Sequence, residues 1–330
     1  MHLVPSLIRD AALAAAVAIA TALLPQSAAA EDVNLRFSWK LKGEYAFFYL
    51  GQQRAVYKDA DINLHLGEGA GAQAALGAVL QGQEDVAVVP AIFAITAIQK
   101  GMPVKIIALY QPAAPIVLLS HRDKPIRLPQ DLEGKTIASA VGETSTAYLG
   151  VFCSKNKIDC GKVKRIQIDS QARILLFLQD KVDAVGVYRS SDLPALKAST
   201  GSNFEIMDMT RFGLSVPGLA VVASINGIEK SGPLLRRFLS ATGRAIDMTR
   251  REPDAAAAAL KAVWQAGPSD AVIRAQVEAT SESIPSATGK PLGWVDGNAI
   301  ANALQLIASV DPIGEPKPVS SFYTNQLLTD

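Results

Sequence analysis

The sequence is poor in the residue types that make most sites easy to read. It has two cysteines and three histidines, only 6% aromatic residues, and no excess charge of either sign, with 32 Lys and Arg against 31 Asp and Glu. Two cysteines cannot staple a disulfide-built scaffold, so a packed apolar core has to hold the fold. Balanced charge without any Lys/Arg-rich run leaves no field or patch to hold nucleic acid. No stretch of 18 apolar residues occurs; the longest, Ala11 to Leu24, is too short to span a bilayer and lies between Arg9 and the small residues Ser27-Ala28-Ala29-Ala30. That pattern is expected of a signal peptide over 1–30, cleaved after Ala30, which places the mature chain in the periplasm, an oxidising compartment. What is present in quantity is hydrophobic residues, 49% of 330, enough for two domains.

Short apolar runs alternate with helical spacings. Leu35 to Trp39, Ile62 to Leu66 and Val86 to Val89 read as strands; Ala72, Ala75, Leu76, Val79 and Leu80 share one helical face that Gly82 closes. Further strands are expected at Val104 to Leu109, Ile116 to Leu119, Thr136 to Ala140, Arg165 to Ile168, Ala184 to Tyr188 and Leu219 to Ser224. Helices are expected at Ile92 to Gln99, Thr144 to about Lys155 and Ala172 to Gln179, and after Gly227, with Pro233 and Pro253 at helix starts. The fold class is α/β: a two-lobed clamp, each lobe a mostly parallel sheet flanked by helices. Residues 31–112 and 216–330 form one lobe and 113–215 the other, with crossings near Gln111 to Pro115 and Phe212 to Gly218. Ligands of open parallel sheets bind beyond the carboxyl ends of the strands, so two such sheets face a shared cleft.

Trp39, Tyr110 and Tyr188 end strands, and Tyr45 and Phe212 lie close by, so these scarce aromatics are candidates to line the cleft. Gly67-Glu68-Gly69-Ala70-Gly71-Ala72 joins a strand to a helix, but the acidic residue of a dinucleotide fingerprint is missing, since the next strand ends in Pro90. The expectation is a loop, Gly69 included, whose amides approach a smaller ligand, with Pro90 beside it. Gly142-Glu143-Thr144-Ser145 opens a helix after a strand and offers amides and hydroxyls to a polar group; an ordinary N-cap is the competing reading. Cys153 and Cys160 flank a short polar stretch, for which a local disulfide is expected and two reduced thiols are the alternative. His65 and His121 lack the partners a helical metal site requires, so neither a metal nor a cofactor is expected.

With these residues in view, the chain resembles the periplasmic solute-binding proteins of ABC importers, in the branch shared by thiamine-pyrimidine-precursor, aliphatic sulfonate, taurine and nitrate systems. The likeness rests on Phe37-Ser38-Trp39 followed by Ala46-Phe47-Phe48-Tyr49, the turn Val79-Leu80-Gln81-Gly82-Gln83-Glu84-Asp85-Val86, Gly101-Met102-Pro103-Val104, Leu128 to Ile137, and Lys181-Val182-Asp183-Ala184. Arg54-Ala55, where such proteins carry glycine, and Asp59-Ala60-Asp61 depart from the pattern. The resemblance implies a clamp with two crossings and no enzyme activity: a monomer that captures a small polar, planar ligand such as a pyrimidine, aromatic carboxylate or sulfonate. Its further partner is a membrane permease or, alternatively, a sensor. The rival expectation is an exported hydrolase or lyase using His65, His121 or Glu143 as base.

Overall fold

The computed structural model describes residues 29–201, 204–309 and 314–329. The expected signal peptide falls almost wholly on residues 1–28, outside them.

From Glu31 the chain runs β1 (Glu31–Phe37), α1 (Ala46–Gln53), β2 (Ile62–Gly67), α2 (Ala72–Leu80), β3 (Val86–Pro90), α3 (Ala91–Gln99) and β4 (Val104–Leu109). It continues through β5 (Ile116–Ser120), β6 (Thr136–Ser139), α4 (Thr144–Ala147), α5 (Leu149–Asn156), β7 (Lys164–Gln167), α6 (Ser170–Leu178), β8 (Ala184–Tyr188), α7 (Asp192–Thr200) and β9 (Glu205–Asp208). After β10 (Leu219–Ser224) come α8 (Ile225–Arg251), α9 (Pro253–Val263), α10 (Asp270–Ser283) and α11 (Gly297–Ala308).

Two five-stranded sheets result, in the orders β2-β1-β3-β10-β4 and β7-β6-β8-β5-β9. β1 runs parallel to both β2 and β3, and β6 to both β7 and β8; β10 and β5 are antiparallel insertions made by the strands on which the chain changes lobe. Val86 to Val89 is apolar at every position because β3 lies inside its sheet, and all four residues are buried. On α2 the helical spacing places Ala72, Ala75, Leu76 and Val79 in the core, but Leu80 is 44% exposed. It lies at the last turn, where the helix parts from the sheet.

Helix α8 closes the first lobe from behind. Phe238 stacks on Phe48 and Tyr57, with ring centroids 6.5 and 6.1 Å away, and each such buried side chain contributes about 1.5–3 kcal/mol. Pro233 stands at a helix start, as expected, because α8 is two helices joined across a kink. Ser231 (φ −120°, ψ 24°) breaks α8 two residues before it, because proline can neither donate the helical bond nor clear the preceding turn. The helix expected from Thr144 to Lys155 is likewise divided at Tyr148, and the pattern had not disclosed the short edge strand β9.

Candidate functional site

The first lobe presents the segment after β1. Ser38 N donates to Val88 O (2.9 Å), Gly71 N to Ser38 O (2.8 Å) and Gly69 N to Trp39 O (3.2 Å), so Trp39 is held between β3 and the glycine-rich loop. Gly69 is required there, since a Cβ would lie 1.9 Å from Phe37 O. The amides of Gly69 and Gly71 thus hold backbone in place, where the sequence had suggested that they meet a ligand.

The second lobe presents Gly142 (φ +76°) and α4. Glu143 caps this helix: its carboxylate accepts from Ser145 N (2.8 Å), from Thr146 N (3.2 Å) and from the hydroxyls of both residues. The competing N-cap reading therefore holds. These amides are spent on Glu143, and Ser145 is buried against Gly186, where a Cβ would sit 1.8 Å from the Ser145 hydroxyl. Thr144 Oγ1 bonds the Tyr188 hydroxyl at 3.0 Å.

The lobes meet around Trp39. A Cβ built on Gly142 would lie 3.7 Å from Gly71 Cα and 3.9 Å from the Trp39 ring. Three recesses share Trp39 as a wall: an outer one of ≈ 470 Å³ reaching Gly69 and Val141, a lateral one of ≈ 340 Å³ reaching Trp264 and Leu178, and an inner one of ≈ 50 Å³. The inner recess brings together Pro90, Gly142, Thr144 and Tyr188 with residues the sequence had not singled out, Lys42, Arg173 and Asp192.

Lys42 is 17% exposed, pairs with Glu44, and lies 5.4 Å from the Tyr45 ring of its own lobe and 4.8 Å from the Tyr188 ring of the other. Burial disfavours its charge, but the Glu44 carboxylate and the Tyr45 and Tyr188 hydroxyls together outweigh this and hold the ammonium above the ordinary lysine value. Burial also raises the Tyr188 phenol, against the opposing charge of Lys42. Arg173, from α6, is 4% exposed; it donates to Gly186 O, lies 3.7 Å from Asp192, and its Nε has no partner among the described residues. Asp192 accepts from Tyr188 N at 2.9 Å.

Three expected aromatics lie elsewhere. Tyr45 stacks on Phe37 at 4.0 Å inside the first lobe, its phenol pushed up by burial to about 12. Tyr110 is buried against Phe47 at 6.1 Å. Phe212 packs on the core at the second crossing, where its carbonyl accepts from Asn156 (2.9 Å). None of them lines these three recesses: Tyr45 and Tyr110 are buried in the core of the first lobe, and Phe212 packs against the core.

Cys153 and Cys160 are joined, Cα to Cα 5.6 Å. His65 lies beside Asp32 (3.2 Å) on an exposed strand face, and His121 bonds Phe177 O (2.9 Å); neither reaches the recesses. Among the described residues no three His, Cys, Asp or Glu side chains converge on a point, and no helix is long and apolar enough to cross a membrane.

Two five-stranded lobes crossed twice, with their strand ends around a shared cleft, are the fold of the periplasmic solute-binding proteins. The chain belongs to the NMT1/THI5-like family, whose model matches residues 42–256. It is similar to the riboflavin-binding protein RibY of Chloroflexus aurantiacus, 25% identical over 240 residues, which span 70% of this chain and 66%, just under two thirds, of RibY. Its fold matches the periplasmic aliphatic sulphonate binding protein SsuA of Escherichia coli (TM-score 0.67, 18% identity, 83% of this chain and 90% of that one). The desulfurization enzyme DSZB shares that fold too (TM-score 0.60, 13% identity, 90% and 97%).

Proposed function

We propose that this chain is the extracytoplasmic solute-binding component of an ABC importer, cleaved after Ala30 and working as a monomer. Residues 31–112 with 216–330 close against 113–215 around a small, polar, planar organic solute, pyrimidine-like, an aromatic carboxylate or a sulfonate, which passes to a membrane permease. The observation that carries the reading is Trp39: a half-buried indole on a segment held by three backbone bonds, it borders three recesses between the lobes and faces Gly142. A planar solute lying on it gains dispersion and desolvated area at once. RibY and SsuA support solute capture in this fold. Closure is a population shift, with the segments between β4 and β5 and between β9 and β10 taking up the dihedral change.

Solute co-purified with the secreted protein, identified by mass spectrometry and titrated back, should bind Trp39→Ala about 1–3 kcal/mol more weakly while the melting temperature barely moves. An unchanged affinity, or an unfolded variant, removes Trp39 from the site.

The likeness to DSZB favours a second reading, an exported hydrolase or lyase acting in the same cleft. Of its candidate bases, His65 and His121 stand away from the cleft and Glu143 is committed to its cap. Turnover of the bound solute would establish it.

A further inference from the structure

The recesses around Trp39 contain three cations, Lys40, Lys42 and Arg173. Each already faces a carboxylate: Lys40 lies 3.1 Å from Glu68, Lys42 pairs with Glu44, and Arg173 lies 3.7 Å from Asp192. The same walls also carry Glu143 and Asp169. An anion entering here finds no surplus positive charge. To gain a cation it must displace a carboxylate already in place, and at Lys42 and Glu44 both partners are desolvated, their side chains 17% and 3% exposed.

Hydrogen-bond polarity is not balanced in the same way. Acceptors around the inner recess are in use: both Glu143 oxygens by α4, Gly186 O by Arg173, and Ser191 O by Gln276. A donor is left over. Arg173 Nε is buried without a partner among the described residues, on a side chain that lines the recess. Such a group is costly to leave unpaired, and an acceptor atom on the solute would satisfy it.

Resting on the solute-binding reading above, we propose that the solute is uncharged, and that its polar end is a carbonyl-type acceptor taken by Arg173 in the inner recess. Carboxylates and sulfonates are then the disfavoured members of the proposed classes. Arg173 is the specificity-determining residue. The guanidinium keeps Asp192 and Gly186 as partners and turns its remaining N–H to the solute, so recognition adds a hydrogen bond without adding a charge.

The test uses three ring-matched probes, benzamide, benzoate and benzenesulfonate, titrated calorimetrically into the whole secreted chain after removal of co-purified solute. Benzamide should bind at least about tenfold more tightly than either anion, with little dependence on salt. Arg173→Lys keeps the charge but lacks the second donor position and should weaken benzamide about tenfold. The comparison on the unmodified protein stands even if that variant folds poorly. Tighter binding of either anion, abolished by Trp39→Ala, overturns the charge inference and leaves the solute-binding reading intact. No binding by any of the three overturns the Arg173 proposal, while titration of the co-purified solute decides the solute-binding reading separately.

Discussion

Gln276 provides the most direct test of lobe closure. This α10 residue is 3% exposed; its Oε1 accepts from Gly43 N at 3.0 Å and its Nε2 donates to Ser191 O, on the opposite lobe, at 2.6 Å. Gln276→Glu preserves the shape and the acceptor toward Gly43 but sets a carboxylate oxygen against the Ser191 carbonyl. Losing the bond costs about 1 kcal/mol, and burying two facing acceptors adds about 1–3 kcal/mol. Water solvates both groups when the cleft is open, so the penalty falls on the closed state. A total of about 2–4 kcal/mol lowers apparent affinity for the co-purified solute roughly 30- to 700-fold. Protonation would restore a donor. Closure therefore raises the introduced carboxyl's pKa, and affinity should recover as pH falls through that raised value. Calorimetric titration at neutral and acid pH measures this, and scattering reports compaction. Unchanged affinity, a loss that deepens in acid, or an equal fall in the melting temperature of the solute-free protein would refute the bridging role.

Gly69→Ala, which sets a Cβ 1.9 Å from Phe37 O, should cost about 1–3 kcal/mol in denaturant unfolding and also weaken solute binding, because Gly69 N anchors Trp39. Lys42→Met should destabilise by about 3–5 kcal/mol by leaving buried Glu44 unpaired, and adding Glu44→Gln should recover most of it; additive losses would show that the pair is not coupled. Burial holds the Tyr45 and Tyr148 phenols up at about 12. Their stabilisation is complete below the unfolded value near 10 and is lost as pH rises through the folded one, by about 1.4 kcal/mol per pH unit per tyrosine, so unfolding should set in between about pH 10 and 12, followed by circular dichroism.

Alternation of apolar runs with helical spacings carried the two sheets, since strands buried on both faces, such as Val86 to Val89, have few other readings. Edge and amphipathic segments were less legible. Glu205-Ile206-Met207-Asp208 is four residues with a single fully buried side chain, and it becomes β9 only because β5 is there to pair with it. Leu80 obeys the spacing of a helix whose last turn has left the sheet. In each case the deciding partner is distant in sequence.

The same distance separates the motifs that looked like ligand loops from the groups able to hold a solute. Gly69 and Gly142 to Ser145 were conspicuous because glycine turns and helix N-caps have local signatures, and those signatures exist because the backbone needs them. The Gly69 amide is taken up by Trp39 O, the Glu143 amide by Ala140 O and the Ser145 amide by the Glu143 cap. The side chains lining the inner recess have a bland sequence context: Arg173, a lone charge beside the apolar run Ile174 to Leu178, Lys42 in a turn, and Asp192 at the start of α7. A lone arginine at the start of an apolar helix is ordinarily solvated, and only its burial against Gly186 marks it out as a candidate recognition group. Loops and caps thus build the cleft walls and hold Trp39, while in the proposal above selectivity would rest on Arg173 of α6, which together with Asp192 of α7 also bonds the backbone of β8.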